Sequence, residues 1–102
     1  QAVVAANGVA MLVAVMKRHE SRSSVQSNGC FALGALSACP EGLHALAKAT
    51  DGVEAVVGSL RSCAADQDAL ACGKAALLRL VEADSALRVR VERANGSKFI
   101  AR

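Results

Sequence analysis

Two phenylalanines are the whole aromatic content of this 102-residue chain, which has no Trp and no Tyr. A core without large rings must be filled by Ala, Val and Leu. Small side chains of that kind suit closely packed helices better than a sandwich or a barrel. The same absence removes any stacking platform for single-stranded bases. No apolar run approaches the roughly 20 residues that span a membrane, and no signal peptide is visible. The four cysteines, Cys30, Cys39, Cys63 and Cys72, include no CxxC spacing. His19 and His44 complete no ligand pattern with them, so neither a metal nor a cofactor is expected. Small buried thiols in a reducing compartment account for the cysteines. The expected location is the cytoplasm, with nucleus or cilium as alternatives.

Charge of one sign is also scarce. Twelve Lys and Arg stand against nine Asp and Glu, for a net charge of +3. The basic residues are scattered rather than clustered, which reads as a solvated face, and no nucleic-acid partner is expected. What the chain does have is 53% hydrophobic residues, enough for one modest core and therefore one all-α domain.

Its main signal is an internal repeat. Asn7-Gly8, Asp51-Gly52 and Asn95-Gly96 recur every 44 residues. The same offset, without a gap, pairs Val9 with Val53, Val13 with Val57, Gly29 with Gly73 and Ala32 with Ala76. It also pairs Leu33 with Leu77, Leu36 with Leu80 and Leu43 with Leu87. Matched positions are nearly all glycine or apolar, as a stacked unit with a freely varying surface would keep.

One period reads as three helices. Residues 41–49 form a short amphipathic helix, and Thr50-Asp51-Gly52 breaks it, glycine supplying freedom for a sharp corner. A second helix covers 53–60, with 9–16 as its counterpart behind a corner at Asn7-Gly8. Polar loops follow at 17–24 and 61–68. The third and longest helix covers 24–38 and 68–82. Ser23 and Gln26 have capping-box spacing, Asp66 or Asp68 suits the equivalent cap, and Pro40 closes the first copy. Gly29 and Gly73 sit inside the third helices at a cost of up to about 1 kcal/mol each. A cost repeated at one register implies a helix pressed against it.

A short helix, a glycine corner and two antiparallel helices, repeated every 44 residues, resembles the armadillo repeat. Asn7-Gly8-Val9 and Asp51-Gly52-Val53 look like that family's Gly-Gly-hydrophobic turn, and residues 25–36 are similar to its third-helix pattern. The HEAT repeat is the nearest competitor, but it usually has two helices per unit and lacks the corner. The resemblance implies a right-handed α-α superhelix, divided here into a partial repeat at 1–39, a full repeat at 40–83 and a partial repeat at 84–102. It further implies a concave groove lined by third helices, near Asn28, Phe31, Ala35, Cys72, Ala75 and Arg79, that holds an extended peptide or partner helix. Nuclear-import members clamp basic peptides with a Trp and an Asn four residues later. The matching positions here are Phe31 with Ala35 and Ala75 with Arg79, so that mode is not expected. Arg79 instead favours an acidic or phosphorylated partner.

No catalytic constellation stands beside these features. Gly73-Lys74 lacks the earlier glycine and the following Ser or Thr of a phosphate-binding loop. Asp66 with Asp68 and Glu82 with Asp84 fall at helix ends, where capping and solvation explain them. The expected function is a non-enzymatic protein-interaction scaffold, with a structural spacer as the alternative. Neither end shows a polar capping unit, so a piece of a longer array is expected. Val3, Val4 and Ala5 at one end, and Phe99 and Ile100 at the other, are expected to expose apolar surface and to allow self-association.

Overall fold

Apolar residues at helical spacing make helices of nearly the whole chain. The computed structural model describes the backbone of residues 2–63 and 65–100, and side chains from Asn7 onward. The helices are α1 (Ala2–Arg18), α2 (Ser23–Ser37), α3 (Pro40–Lys48), α4 (Gly52–Ser62), α5 (Gln67–Ala83), α6 (Leu87–Arg93) and α7 (Ser97–Ile100). The fold is all-α, with no strand among the described residues. Helices α2 to α5 lie within two residues of their expected limits.

The corners differ from expectation in two ways. Asp51 and Asn95 carry the left-handed backbone, both at φ 63°, while no glycine has positive φ. Asp and Asn tolerate this conformation through their short polar side chains. The glycine that follows is needed for space instead. A Cβ on Gly52 would stand 2.6 Å from the Leu46 carbonyl oxygen, and one on Gly96 would stand 2.7 Å from Val57. After α6 the amide of Gly96 donates to Val91 O at 2.8 Å and that of Asn95 to Glu92 O at 3.0 Å. This pair of bonds closes a helix end around a left-handed residue.

The second difference is Asn7-Gly8, which forms no corner. α1 runs unbroken through it, and nothing lies within 4 Å of a Cβ placed on Gly8. No folded-back helix presses on this glycine, so the Ala-rich residues before it prolong the ladder and gain a hydrogen bond each.

The caps are also redistributed. Ser23 and Gln26 make no capping box, because α2 begins after Arg22 without a side-chain cap. Gln26, only 3% exposed, reaches back to the end of α1, donating Nε2 to Met16 O at 2.9 Å and His19 O at 3.1 Å. It thereby satisfies the Met16 carbonyl in the last turn of α1, while the His19 carbonyl also accepts from the Arg22 amide at 2.9 Å. Asp66 does cap α5, accepting from the Ala69 amide at 3.1 Å. Pro40 opens α3 at its first turn, where its missing N–H costs nothing.

α1 lies against α2, α3 and α4, and α2 lies along both α4 and α5. Val9, Val13 and Met16 of α1, Val53, Val57 and Leu60 of α4, and Leu33 and Leu77 of the long helices join one core. The recurrent glycines meet repeat-equivalent side chains. A Cβ on Gly29 would lie 2.5 Å from Met16 Sδ, and one on Gly73 would lie 2.6 Å from Leu60 Cδ2. Both sites therefore hold glycine because a large apolar side chain from the preceding helix occupies the space.

The apolar residues expected to be exposed at the C-terminal end are covered. Ile100 is buried and Phe99 half-buried, with α7 seated on α5. The side chains of Val3, Val4 and Ala5 lie outside the described residues. Among the described residues, the large apolar side chains most open to solvent are Met11, Val15, Phe31 and Val89.

Candidate functional site

Helical spacing puts Asn28, Phe31 and Ala35 on one face of α2, and all three are exposed. Their expected partners on α5, Cys72, Ala75 and Arg79, are half-buried. Contacts advance together along the two helices. Cys30 faces Gly73 and Ser37 meets Arg79 about two turns later, so α2 and α5 run in the same sense. Their backbones approach closely at Gly34, where a Cβ would lie 2.9 Å from Cys72 Cβ and 3.0 Å from Cys72 O.

Arg79 is part of this seam. Its Nη1 donates to Gly34 O at 3.1 Å and to Ser37 Oγ at 2.9 Å, while Ser37 Oγ donates to the same Gly34 carbonyl at 2.8 Å. The guanidinium thus ties the last turn of α2 to α5, at the Gly34 carbonyl, one of the four that carry the negative end of the helix dipole. Sequence reasoning placed Arg79 on this face but did not find its tie to α2. The six residues line none of the three clefts described next.

The first cleft, of about 370 Å³, lies between α1 and α4 and is walled by Met16, Lys17, Glu20, Glu54 and Arg61. The second, of about 460 Å³, is walled by Ser23, Ser27, Ser62, Cys63 and Asp66 where α2, α4 and α5 meet. The third, of about 450 Å³, lies between α1 and the end of α3, with Ala10, Ala14, Ala45 and Lys48 in its walls.

Charged side chains join α1 to the Asp51 corner, α4 to the Asn95 corner and α6 to α4. Lys17 Nζ donates to Asp51 Oδ2 at 2.8 Å, and that hydrogen bond raises the Lys17 pKa. The repeat-equivalent cation, Arg61, donates Nη2 to the Ala94 carbonyl beside the second corner. Arg90 pairs with Glu54 at 2.8 Å, and this hydrogen bond holds the Glu54 carboxyl below its ordinary range. Sequence reasoning missed the Lys17 and Arg61 contacts. The signal is that both are basic and 44 residues apart, each opening a polar loop, but spacing alone does not show which group a loop cation meets.

A buried polar chain runs between α2 and α4. Ser59 Oγ donates to Val56 O at 2.8 Å, so the Cys30 thiol is the donor in its 3.0 Å contact with Ser59 Oγ. Cys63 Sγ lies 3.4 Å from Cys30 Sγ. Burial pushes the Cys30 thiol up to about 12, which keeps it protonated at neutral pH. Cys39 is exposed and Cys72 intermediate, and all four cysteines are free thiols. Among the described residues no group of three His, Cys, Asp or Glu is arranged to hold a metal, and no single helix is long and apolar enough to cross a membrane.

No family model, curated protein or solved structure matches the chain.

Proposed function

We propose that this chain is part of an armadillo-type right-handed superhelix and works as a non-enzymatic protein-interaction scaffold. The observation that carries the reading is Phe31. It is 40% exposed in the middle of α2, flanked by exposed Asn28 and Ala35. A large ring held on a rigid helix is the kind of anchor that dominates binding faces. Two units with repeat-equivalent corners and repeat-equivalent glycine contacts support the array architecture. Arg79, at the α2–α5 seam, would add preference for an acidic or phosphorylated segment.

The structural-spacer reading rests on a different observation. Nη1 of Arg79 is already engaged within the chain by Gly34 and Ser37, so the seam is partly filled in cis. The unit ends would then be the working surfaces. Val15 on α1 is 46% exposed, while Ser59, its counterpart 44 residues on, is fully covered. Leu70, Lys74 and Leu78 on α5 are half-buried where their counterparts Gln26, Cys30 and Gly34 are buried. Copies or neighbouring units would cover each other through these faces.

Capture of proteins from an extract by the intact chain, beside the Phe31→Ala/Arg79→Glu variant, tests the choice, with helicity followed by circular dichroism. Proteins held by the first and lost by an equally helical second support the scaffold. Equal retention by both, or by neither, removes this face as the working surface and leaves the spacer.

A further inference from the structure

Two thiols from different units meet inside the protein, one of them beside a surface cleft. Cys30, on α2, and Cys63, at the end of α4, bring their sulfurs to 3.4 Å. Cys30 is fully buried and Cys63 is 2% exposed. Cys63 also forms part of the wall of the cleft bounded by Ser23, Ser27, Ser62 and Asp66, which has room for several water-sized molecules at about 460 Å³. Cys30 lines none of the three clefts described above and is enclosed by Ser59 and by Gly73, on which a Cβ would lie 3.0 Å from its sulfur.

We infer that Cys30 and Cys63 form an oxidation site, at which a peroxide entering the Cys63 cleft converts the thiol pair into a disulfide joining α2 to α4. The chemistry takes two steps. In the first, the Cys63 sulfur attacks one peroxide oxygen. A sulfur–oxygen bond forms, the oxygen–oxygen bond breaks, and hydrogen peroxide leaves one molecule of water and a sulfenic acid on Cys63. In the second, the Cys30 sulfur attacks Cys63, the sulfur–oxygen bond breaks, and the oxygen departs into the cleft as hydroxide, which the proton released from Cys30 neutralises through solvent to a second water. Two thiols lose two electrons and two protons, and one peroxide is reduced to two waters. The arrangement assigns the roles: Cys63 meets the oxidant because it borders the cleft, and Cys30 resolves because it is the enclosed neighbour.

Ser59 sharpens the assignment. Its own proton is committed to Val56 O, so its oxygen accepts from the Cys30 thiol and leaves a sulfur lone pair on Cys30 free to face Cys63. The product joins residues 33 positions apart, in different units, so it locks the unit interface and shortens the unfolded chain.

The test treats the intact chain with hydrogen peroxide, in slight excess over thiols and without denaturant. Remaining thiols are then alkylated in denaturant and the peptides mapped by mass. The expected product is one peptide pair linked through Cys30 and Cys63, two hydrogens lighter than the sum of its parts, with a Tm raised by about 10 °C. In Cys30→Ser, Cys63 should instead be trapped by dimedone as its sulfenic acid. In Cys63→Ser, Cys30 should stay reduced. A wild-type chain in which Cys30 and Cys63 are both alkylated, while Cys39 or Cys72 carries the oxidation, overturns the assignment without reference to either variant. Dimedone trapped on Cys30 in preference to Cys63 overturns the order of the steps.

Discussion

Residues 7–49 and 51–93 follow one pattern, yet the second copy is held from more sides than the first. Its corner at Asp51-Gly52 is pinned beneath Leu46 O and tied from α1 by Lys17. Its second helix is covered by α2 at Ser59 and braced from α6 through Glu54. The corresponding places in the first copy are open: a Cβ on Gly8 would meet nothing within 4 Å and Val15 is 46% exposed. The difference teaches that residues matched by the 44-residue sequence offset are not equivalent energetically, because their tertiary neighbours differ.

Substitutions at paired positions should show this, beginning with the corners. Gly52→Ala should cost about 3 kcal/mol, because the new Cβ meets a backbone oxygen that cannot swing aside. Gly8→Ala should do the opposite and stabilise by up to about 1 kcal/mol, since a helix interior loses its glycine without a clash. Urea unfolding of the two variants measures both. Equal shifts in one direction would break the comparison between the copies.

The second pair is Val15 and Ser59. Ser59→Val removes the hydrogen bonds to Val56 O and Cys30 and adds bulk to a filled site, at an expected cost of about 1–2 kcal/mol. Val15→Ser should stay within about 0.5 kcal/mol of the parent. A large loss at Val15 would mean that its face is covered in solution, a result that sedimentation would then explain as self-association.

The smallest effect belongs to the Glu54–Arg90 ion pair. Both side chains are about one-third or more exposed, so Glu54→Gln should cost only a few tenths of a kcal/mol at pH 7. Because Arg90 lowers the folded-state pKa of Glu54, the contribution is complete above the ordinary carboxyl value of about 4.3 and is lost as pH falls through the lowered one. Parent and variant should therefore converge in acid, and a gap that widens there would reverse the assigned sign.

Much of the framework was legible in the residues. The glycines at 29 and 73 announced a close approach, and Met16 and Leu60 supply it. Asp66 announced a cap and makes one. Elsewhere local rules pointed to an arrangement that distant contacts replaced. Gln26 has the spacing of a capping box yet donates to α1, because the Met16 carbonyl in the last turn of that helix lies buried within reach. Phe99 and Ile100 looked exposed, but α7 turns them onto α5. For the candidate binding face, the common side of α2 could be read from spacing, while the clasp of Arg79 on Gly34 and Ser37 could not.

By itself, the sequence determined the helical class, the 44-residue period and the limits of most helices. These depend on periodicity and turn chemistry within a few residues. The tertiary structure alone decided which Asn-Gly or Asp-Gly pair turns the chain and which thiols meet. It also decided which of two equivalent faces is covered. Those outcomes turn on steric contact and desolvation between residues tens of positions apart, where identical local sequence meets different neighbours.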